Sequence, residues 1–180
     1  MAVEQLAFTV DGLLSPERCR VLIERGESLG FANAPITTAT GFVMRPDIRN
    51  NTRVMFDDLN LAAELHARAR PFVPAAIGPW GLCGVNERFR IYRYQPGQQF
   101  AAHYDGAFHR NRDEVSMLTF MVYLNADFEG GETWFPYRGV RFQPAVGRAL
   151  FFEHEQLHEG VMVSAGVKYA LRTDVMYRLG

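Results

Sequence analysis

The feature that most constrains this chain is its texture beyond residue 84. There it breaks into short β-branched or aromatic segments, Val85–Tyr94, Val115–Leu124, Glu132–Phe135, Val140–Phe142, Arg148–Phe152, Val161–Val163 and Tyr169–Tyr177. Turn signals such as Gln95-Pro-Gly97 and Gly130-Gly131 separate them. Many short strands at near-regular spacing, following an α-rich start, predict a closed or double-sheet β architecture rather than a parallel α/β sheet.

The first 84 residues read differently. Leu6–Val10 is a short strand. Ser15-Pro16-Glu17 opens a helix, with a serine N-cap, proline at the first helical position and an acid in the first turn; Cys19, Leu22, Ile23 and Leu29 line it, and Gly30 ends it. Residues 32–52 look like a long irregular connection. Thr52–Asp57 is a strand, and Asp58 or Asn60 caps a second helix carrying Leu61, Leu65, Ala69 and a partly exposed His66. Gly78–Gly84 reads as a turn-rich connector. With 180 residues and no repeat or linker, the expectation is one domain, mainly β with helices (α+β). Residues 1–84 would buttress and connect; residues 85–177 would form a β-sandwich or jelly-roll core.

Composition excludes some classes of function. A net charge of −1 gives no global pull toward nucleic acid or anionic membrane. The first ten residues lack a basic n-region and Glu4 interrupts any apolar run, so they do not read as a signal peptide, and no stretch is long enough to span a membrane. Cys19 and Cys83 have neither metal-site nor disulfide spacing, which makes a reducing, cytoplasmic location the expectation. No pattern speaks to oligomeric state.

Within the β-rich half, His103-Tyr-Asp105 places an imidazole and a carboxylate on one face of an extended segment, because strand side chains alternate. A third ligand must come from elsewhere, and His158, ahead of Val161–Val163, fits. His154 competes, but its polar Glu153-His-Glu-Gln156 surroundings suggest a solvated turn. Two histidines and one carboxylate match the facial set that leaves open positions on iron(II). Zinc is chemically admissible, although the His-Glu-x-x-His motif is absent. Lys168 is the only lysine among 19 basic side chains. It shares a strand face with Ala170, Arg172, Asp174 and Met176. Turned inward it calls for an anion, such as a co-substrate carboxylate; turned outward it would reach solvent or pair with Asp174.

These residues and their neighbours resemble the iron(II)/2-oxoglutarate-dependent dioxygenases, in the prolyl-4-hydroxylase-like branch. The resemblance rests on His103-x-Asp105, His158 and the basic residue ten positions later. It extends to Tyr94-Gln-Pro-Gly97, Thr119–Asn125 ending Tyr-Leu-Asn, the Gly130-Gly131-Glu-Thr133 turn and Gly147-Arg-Ala-Leu-Phe-Phe152. It implies a double-stranded β-helix and an enzyme that hydroxylates an unactivated C–H bond, with release of succinate and CO₂. It implies Fe(II), 2-oxoglutarate and O₂, with ascorbate as a reductant.

By the same resemblance, His103, Asp105 and His158 hold the metal and Lys168 anchors the distal carboxylate of 2-oxoglutarate. Tyr94 and Tyr123 assist, Thr133 lies nearby and Arg172 is the reserve anchor. The expected substrate is a peptide or an amino-acid-like molecule. Phe100 replaces a tyrosine common in the branch. Arg49–Arg53 and Glu87 are potential substrate-side residues, although exposed ion pairing is the favoured reading of each. Phe108–Glu114, including His109, is placed to act as a lid. Two other readings remain open: a catalytically silent metal- or ligand-binding jelly roll, and a nucleic-acid oxidative demethylase drawing on the arginines of residues 88–93.

Overall fold

The computed structural model describes residues 6–180. Met1–Gln5, the start of the stretch read above for a leader, lie outside the described residues. Two antiparallel sheets face each other as a jelly roll, and two helices cover the outer face of the larger sheet. The large sheet is centred on Lys168–Leu179, which pairs with Glu114–Tyr123 on one side and with Arg88–Tyr94 and Trp80–Val85 on the other. The small sheet runs Val140–Phe142, Thr133–Phe135, His158–Gly160, Phe100–His103.

Period-two alternation decides which residues serve the core and which serve the space between the sheets. Along Glu114–Tyr123, Leu118, Phe120 and Val122 join the cluster beneath the helices, and Thr119, Met121 and Tyr123 point the other way. On Arg88–Tyr94, Phe89 and Ile91 are fully buried in that same cluster, which leaves Arg90, Tyr92 and Tyr94 for the interior between the sheets. Helix α1 (Pro16–Leu29) contributes Cys19 and Leu22; helix α2 (Leu59–Ala69) contributes Leu61, Leu65 and Ala69. Each fully buried leucine adds roughly 1.5–3 kcal/mol of transfer free energy. Both helices begin where the sequence indicates, with Ser15 Oγ accepting from Arg18 N–H (3.2 Å) and Asp58 Oδ1 from Leu61 N–H (2.9 Å).

The segment before residue 85 does more than buttress. Ala7–Val10, Thr52–Asp57 and Trp80–Val85 are strands of the large sheet. Thus Gly78–Gly84 is not simply a connector: Trp80–Val85 pairs with the end of Lys168–Leu179, where its small residues meet a twisting partner. The region 32–52 is also more ordered than expected, holding the hairpin Ile36–Thr38/Gly41–Val43. Val85–Tyr94 is interrupted at Asn86, a buried residue whose carbonyl accepts from the Thr173 hydroxyl (2.6 Å) and whose side-chain oxygen accepts from Arg88 N–H (3.1 Å). The strand expected at Val161–Val163 is instead largely a link: Val161 and Met162 lie between two strands, His158–Gly160 and Val163–Gly166, that belong to different sheets. Gly147 shows why its motif begins with glycine: at φ +75° a Cβ there would lie 1.9 Å from the Leu14 carbonyl oxygen.

Candidate metal and co-substrate site

Strand pairing brings the three candidate metal ligands together. His103 and His158 are direct cross-strand partners in the small sheet, and Asp105 follows two residues beyond. One ligand atom from each of His103, Asp105 and His158 falls within 4.8 Å of the others. His103 Nε2 lies 3.7 Å from Asp105 Oδ1, and His158 Nε2 lies 3.7 Å from Asp105 Oδ2.

The outward ring nitrogens fix the tautomers. His103 Nδ1 donates to the Ala101 carbonyl (2.8 Å) and His158 Nδ1 to the Gln156 carbonyl (3.0 Å), so both Nε2 lone pairs face the common point. Burial, and then the neighbouring His158, push His103 down to about 3, so it is a neutral donor at any working pH. Burial alone would raise the Asp105 carboxyl. Arg172 foremost, then His158 and His103, and last the Thr119 hydroxyl together outweigh it and hold Asp105 well below the usual carboxylate range. Two imidazoles whose Nε2 atoms face one ionised carboxylate form a donor set that fits a divalent iron.

His154 corrects the expectation of a solvated turn residue. It is 5% exposed, with Nδ1 2.9 Å from Thr119 Oγ1 and Nε2 2.8 Å from Ser116 Oγ. The single Thr119 proton goes to Asp105 Oδ2 (2.6 Å), so Thr119 accepts from His154 Nδ1–H. Nε2 then accepts from the Ser116 hydroxyl, which in turn accepts from Phe108 N–H (2.8 Å). A one-way chain therefore runs from the backbone at Phe108 to the Asp105 carboxylate. Sequence reading missed Thr119 and His154; the available signal was a hydroxyl at each of positions 116 and 119 of an otherwise apolar strand.

An inner pocket beside the triad is lined by Tyr94, Thr133 and Lys168, with Tyr92, Met121 and Phe152 as further walls. Lys168 is 2% exposed; its Nζ donates to the Gly131 carbonyl (2.6 Å) and lies 4.9 Å from the Tyr94 ring centroid. Burial pushes it down to about 8, and Glu132 only partly opposes this. Tyr123 stands behind the pocket, its hydroxyl 2.7 Å from Thr133 Oγ1. Arg172 faces the two carboxylates, 3.2 Å from Asp105 Oδ2 and 3.3 Å from Asp174 Oδ1. Gly131 sits at φ +70°, where a Cβ would meet the Phe128 ring at 2.8 Å and the Lys168 stem at 3.1 Å.

The outer cleft has a volume of about 510 Å³ and opens from the triad past Phe42, Tyr104 and Phe108. Phe100 stacks on His103 with ring centroids 3.5 Å apart. Arg49, expected at an exposed ion pair, is instead buried, donating to Asn51 Oδ1 (2.8 Å) and packing on the Tyr92 and Phe100 rings. Glu87 does pair, with Arg110. Arg110 also pairs with Glu114, and Phe108–Glu114 forms a hairpin with these ion pairs at its base and His109 exposed on it. The arginines of residues 88–93 do not form one cluster: Arg88 pairs with Asp57, Arg93 with Glu27, and Arg90 alone faces the cleft.

Comparison with known proteins agrees with this geometry. Residues 89–173 match the 2OG-Fe(II) oxygenase superfamily. A putative prolyl 4-hydroxylase of Acanthamoeba polyphaga mimivirus is 30% identical, covering 90% of this chain and 70% of that protein. Prolyl 4-hydroxylase 1 of Arabidopsis thaliana is 24% identical over 87% of this chain, which spans 64% of the plant protein's length. The structure of the viral collagen prolyl hydroxylase of Paramecium Bursaria Chlorella virus-1 in complex with 2OG superposes with a TM-score of 0.73, at 25% identity and 97% coverage of each chain. With its facing sheets, His-x-Asp…His triad and buried lysine, the chain belongs to the 2OG-Fe(II) oxygenase superfamily, in the prolyl-4-hydroxylase-like branch.

Proposed function

We propose that this chain is an Fe(II)- and 2-oxoglutarate-dependent dioxygenase that hydroxylates a C–H bond of a peptide or amino-acid-like substrate, releasing succinate and CO₂. The observation that carries the reading is Lys168: a buried cation without a carboxylate partner among the described residues, in a pocket that adjoins a pre-aimed two-histidine, one-aspartate triad. His103, Asp105 and His158 would hold the iron. Bound together, iron, 2-oxoglutarate and O₂ supply the oxidising chemistry.

The protein's own groups bind, orient and exclude water. Lys168 anchors the distal carboxylate of 2-oxoglutarate. The Tyr94 hydroxyl, on a ring that burial keeps un-ionised, and Thr133 supply further hydrogen bonds, with Tyr123 holding Thr133 in place. Arg172 is committed to Asp105 and Asp174, which leaves the anchor to Lys168. Thr119 and Arg172 keep Asp105 ionised and oriented. Met121, Phe152 and Phe100 wall the site with apolar surface and limit the entry of water. The exposed Phe42, Tyr104 and Phe108 at the cleft rim suit an extended peptide.

Two unpaired cysteines support a cytoplasmic setting, and ascorbate as reductant belongs to the same proposal. No helix among the described residues is long and apolar enough to cross a membrane. The test is anaerobic titration with Fe(II) and then 2-oxoglutarate, reading the metal-to-ligand charge-transfer band, followed by succinate release in air. Iron bound without the band would refute the co-substrate assignment.

A further inference from the structure

The outer cleft has an imbalance of charge that the metal chemistry does not use. Four guanidinium groups line it, those of Arg49, Arg53, Arg90 and Arg172, against two carboxylates, Asp105 and Asp174. Arg172 engages both carboxylates. Arg90 stands directly across the strand pair from Arg172, and Arg53 is opposite Tyr92 on the next strand. Like charges so placed destabilise a sheet unless something neutralises them.

Among the described residues the fold does so only for Arg172. Among the described residues, Arg53 and Arg90 make no ion pair, and Arg49 donates only to the neutral Asn51 side chain and the Pro35 carbonyl. Arg49 is 4% exposed, yet its Nη2 has no hydrogen-bond partner, and the buried Nη1 of Arg90 has none either. Buried donors left without acceptors are expensive. Burial first, and then the charges of Arg49, Arg90 and Arg172, also push Arg53 below its ordinary value, with Tyr92 partly opposing them. Elsewhere on the same strands the rule is pairing, as Arg88–Asp57 and Arg93–Glu27 show.

We propose that the cleft recognises a carboxylate of the substrate, seated on Arg53 and Arg90 with Arg49 at its edge. The inference rests on the hydroxylase reading above and names its substrate class. The carboxylate is either an acidic side chain close to the hydroxylated residue of a peptide or the free carboxylate of an amino-acid-like substrate. Planar guanidinium groups present paired N–H donors that match a carboxylate's two oxygens. Once the triad holds Fe(II) and Lys168 receives the co-substrate, the cleft still has an excess of positive charge to attract such a group.

The experiment measures binding to the enzyme loaded anaerobically with Fe(II) and 2-oxoglutarate, by calorimetry. One set of ligands is end-capped proline peptides with Asp or Glu beside the proline, each matched to its Asn or Gln counterpart. The other is free L-amino acids, proline included, matched to their amides. The two sets distinguish side-chain from terminal carboxylates. The expected result is a preference of about 10- to 100-fold for the acid over the amide in one set. Arg53→Gln and Arg90→Gln should each shrink that preference, and Arg90→Glu should reverse it toward Lys-containing peptides. Because a folding defect would not reverse a preference, the charge swap separates recognition from damage. Equal affinity for acid and amide, or binding by neither, overturns the proposal, as does displacement by a single-stranded oligonucleotide that binds more tightly in low salt. The charge-transfer band of the same samples reports on the hydroxylase reading separately. If it is missing, that reading fails while the acid–amide preference is still read from the calorimetry.

Discussion

Replacing Lys168 with methionine should stabilise the protein without ligands while abolishing tight co-substrate binding. The fall of the lysine from 10.5 to about 8 corresponds to roughly 3 kcal/mol held against its charged form. Methionine fills a similar volume without that penalty but leaves the Gly131 carbonyl without its donor, a loss of about 1 kcal/mol. The net gain of about 2 kcal/mol at pH 7 should raise the melting temperature by roughly 4–8 °C. The sign depends on pH in a defined way. Below about 8 the lysine is protonated both folded and unfolded, so the penalty is present in full. Between about 8 and 10.5 the folded protein has released the proton that the unfolded chain keeps, so stability rises with pH and the advantage of Lys168→Met shrinks. In the same variant, 2-oxoglutarate should bind about 30- to several-thousand-fold more weakly, the consequence of removing one partner of a buried charge pair. Thermal melts from pH 7 to 10.5 and anaerobic charge-transfer titrations are the assays. A variant that melts no higher than wild type at pH 7 and binds 2-oxoglutarate normally would refute both the electrostatic argument and the anchor.

Three further outcomes are expected. The affinity of the wild-type protein for 2-oxoglutarate, titrated by calorimetry with Mn(II) in place of iron, should fall as pH rises through about 8, because a neutral Lys168 no longer attracts the carboxylate. Gly131→Ala should cost about 1–3 kcal/mol in denaturant unfolding and weaken co-substrate binding, since its φ of +70° and the nearby Phe128 ring and Lys168 stem leave no room for a Cβ. His154→Ala should reduce metal affinity about 10- to 100-fold in a Co(II) titration by releasing Thr119 from Asp105; the carboxylate and both histidine ligands themselves remain.

Much of this protein was legible in its sequence because the responsible physics is local. Alternation along Leu118–Tyr123 and Lys168–Tyr177 assigns one face to the helices and the other to the site, whatever the strands pair with. Ser15-Pro16 and Asp58 set helix starts through caps three residues in reach. His-x-Asp predicts two convergent ligands by the same periodicity. What the tertiary structure alone decided is which distant residues meet. His158 joins His103 and Asp105 because register places it across from His103, 55 positions away in a different strand; His154, four residues earlier, turns instead toward Ser116 and Thr119 of the large sheet. Polar surroundings in the sequence made His154 look solvated, and pairing of the strands buried it. The arginines make the same point. Their clustering along the chain was visible, but only the packing of the strands shows that Arg88 and Arg93 find carboxylates whereas Arg90 faces the cleft with a buried donor unsatisfied. Backbone periodicity is written into consecutive residues, whereas charge compensation and ligand geometry depend on contacts made across the fold.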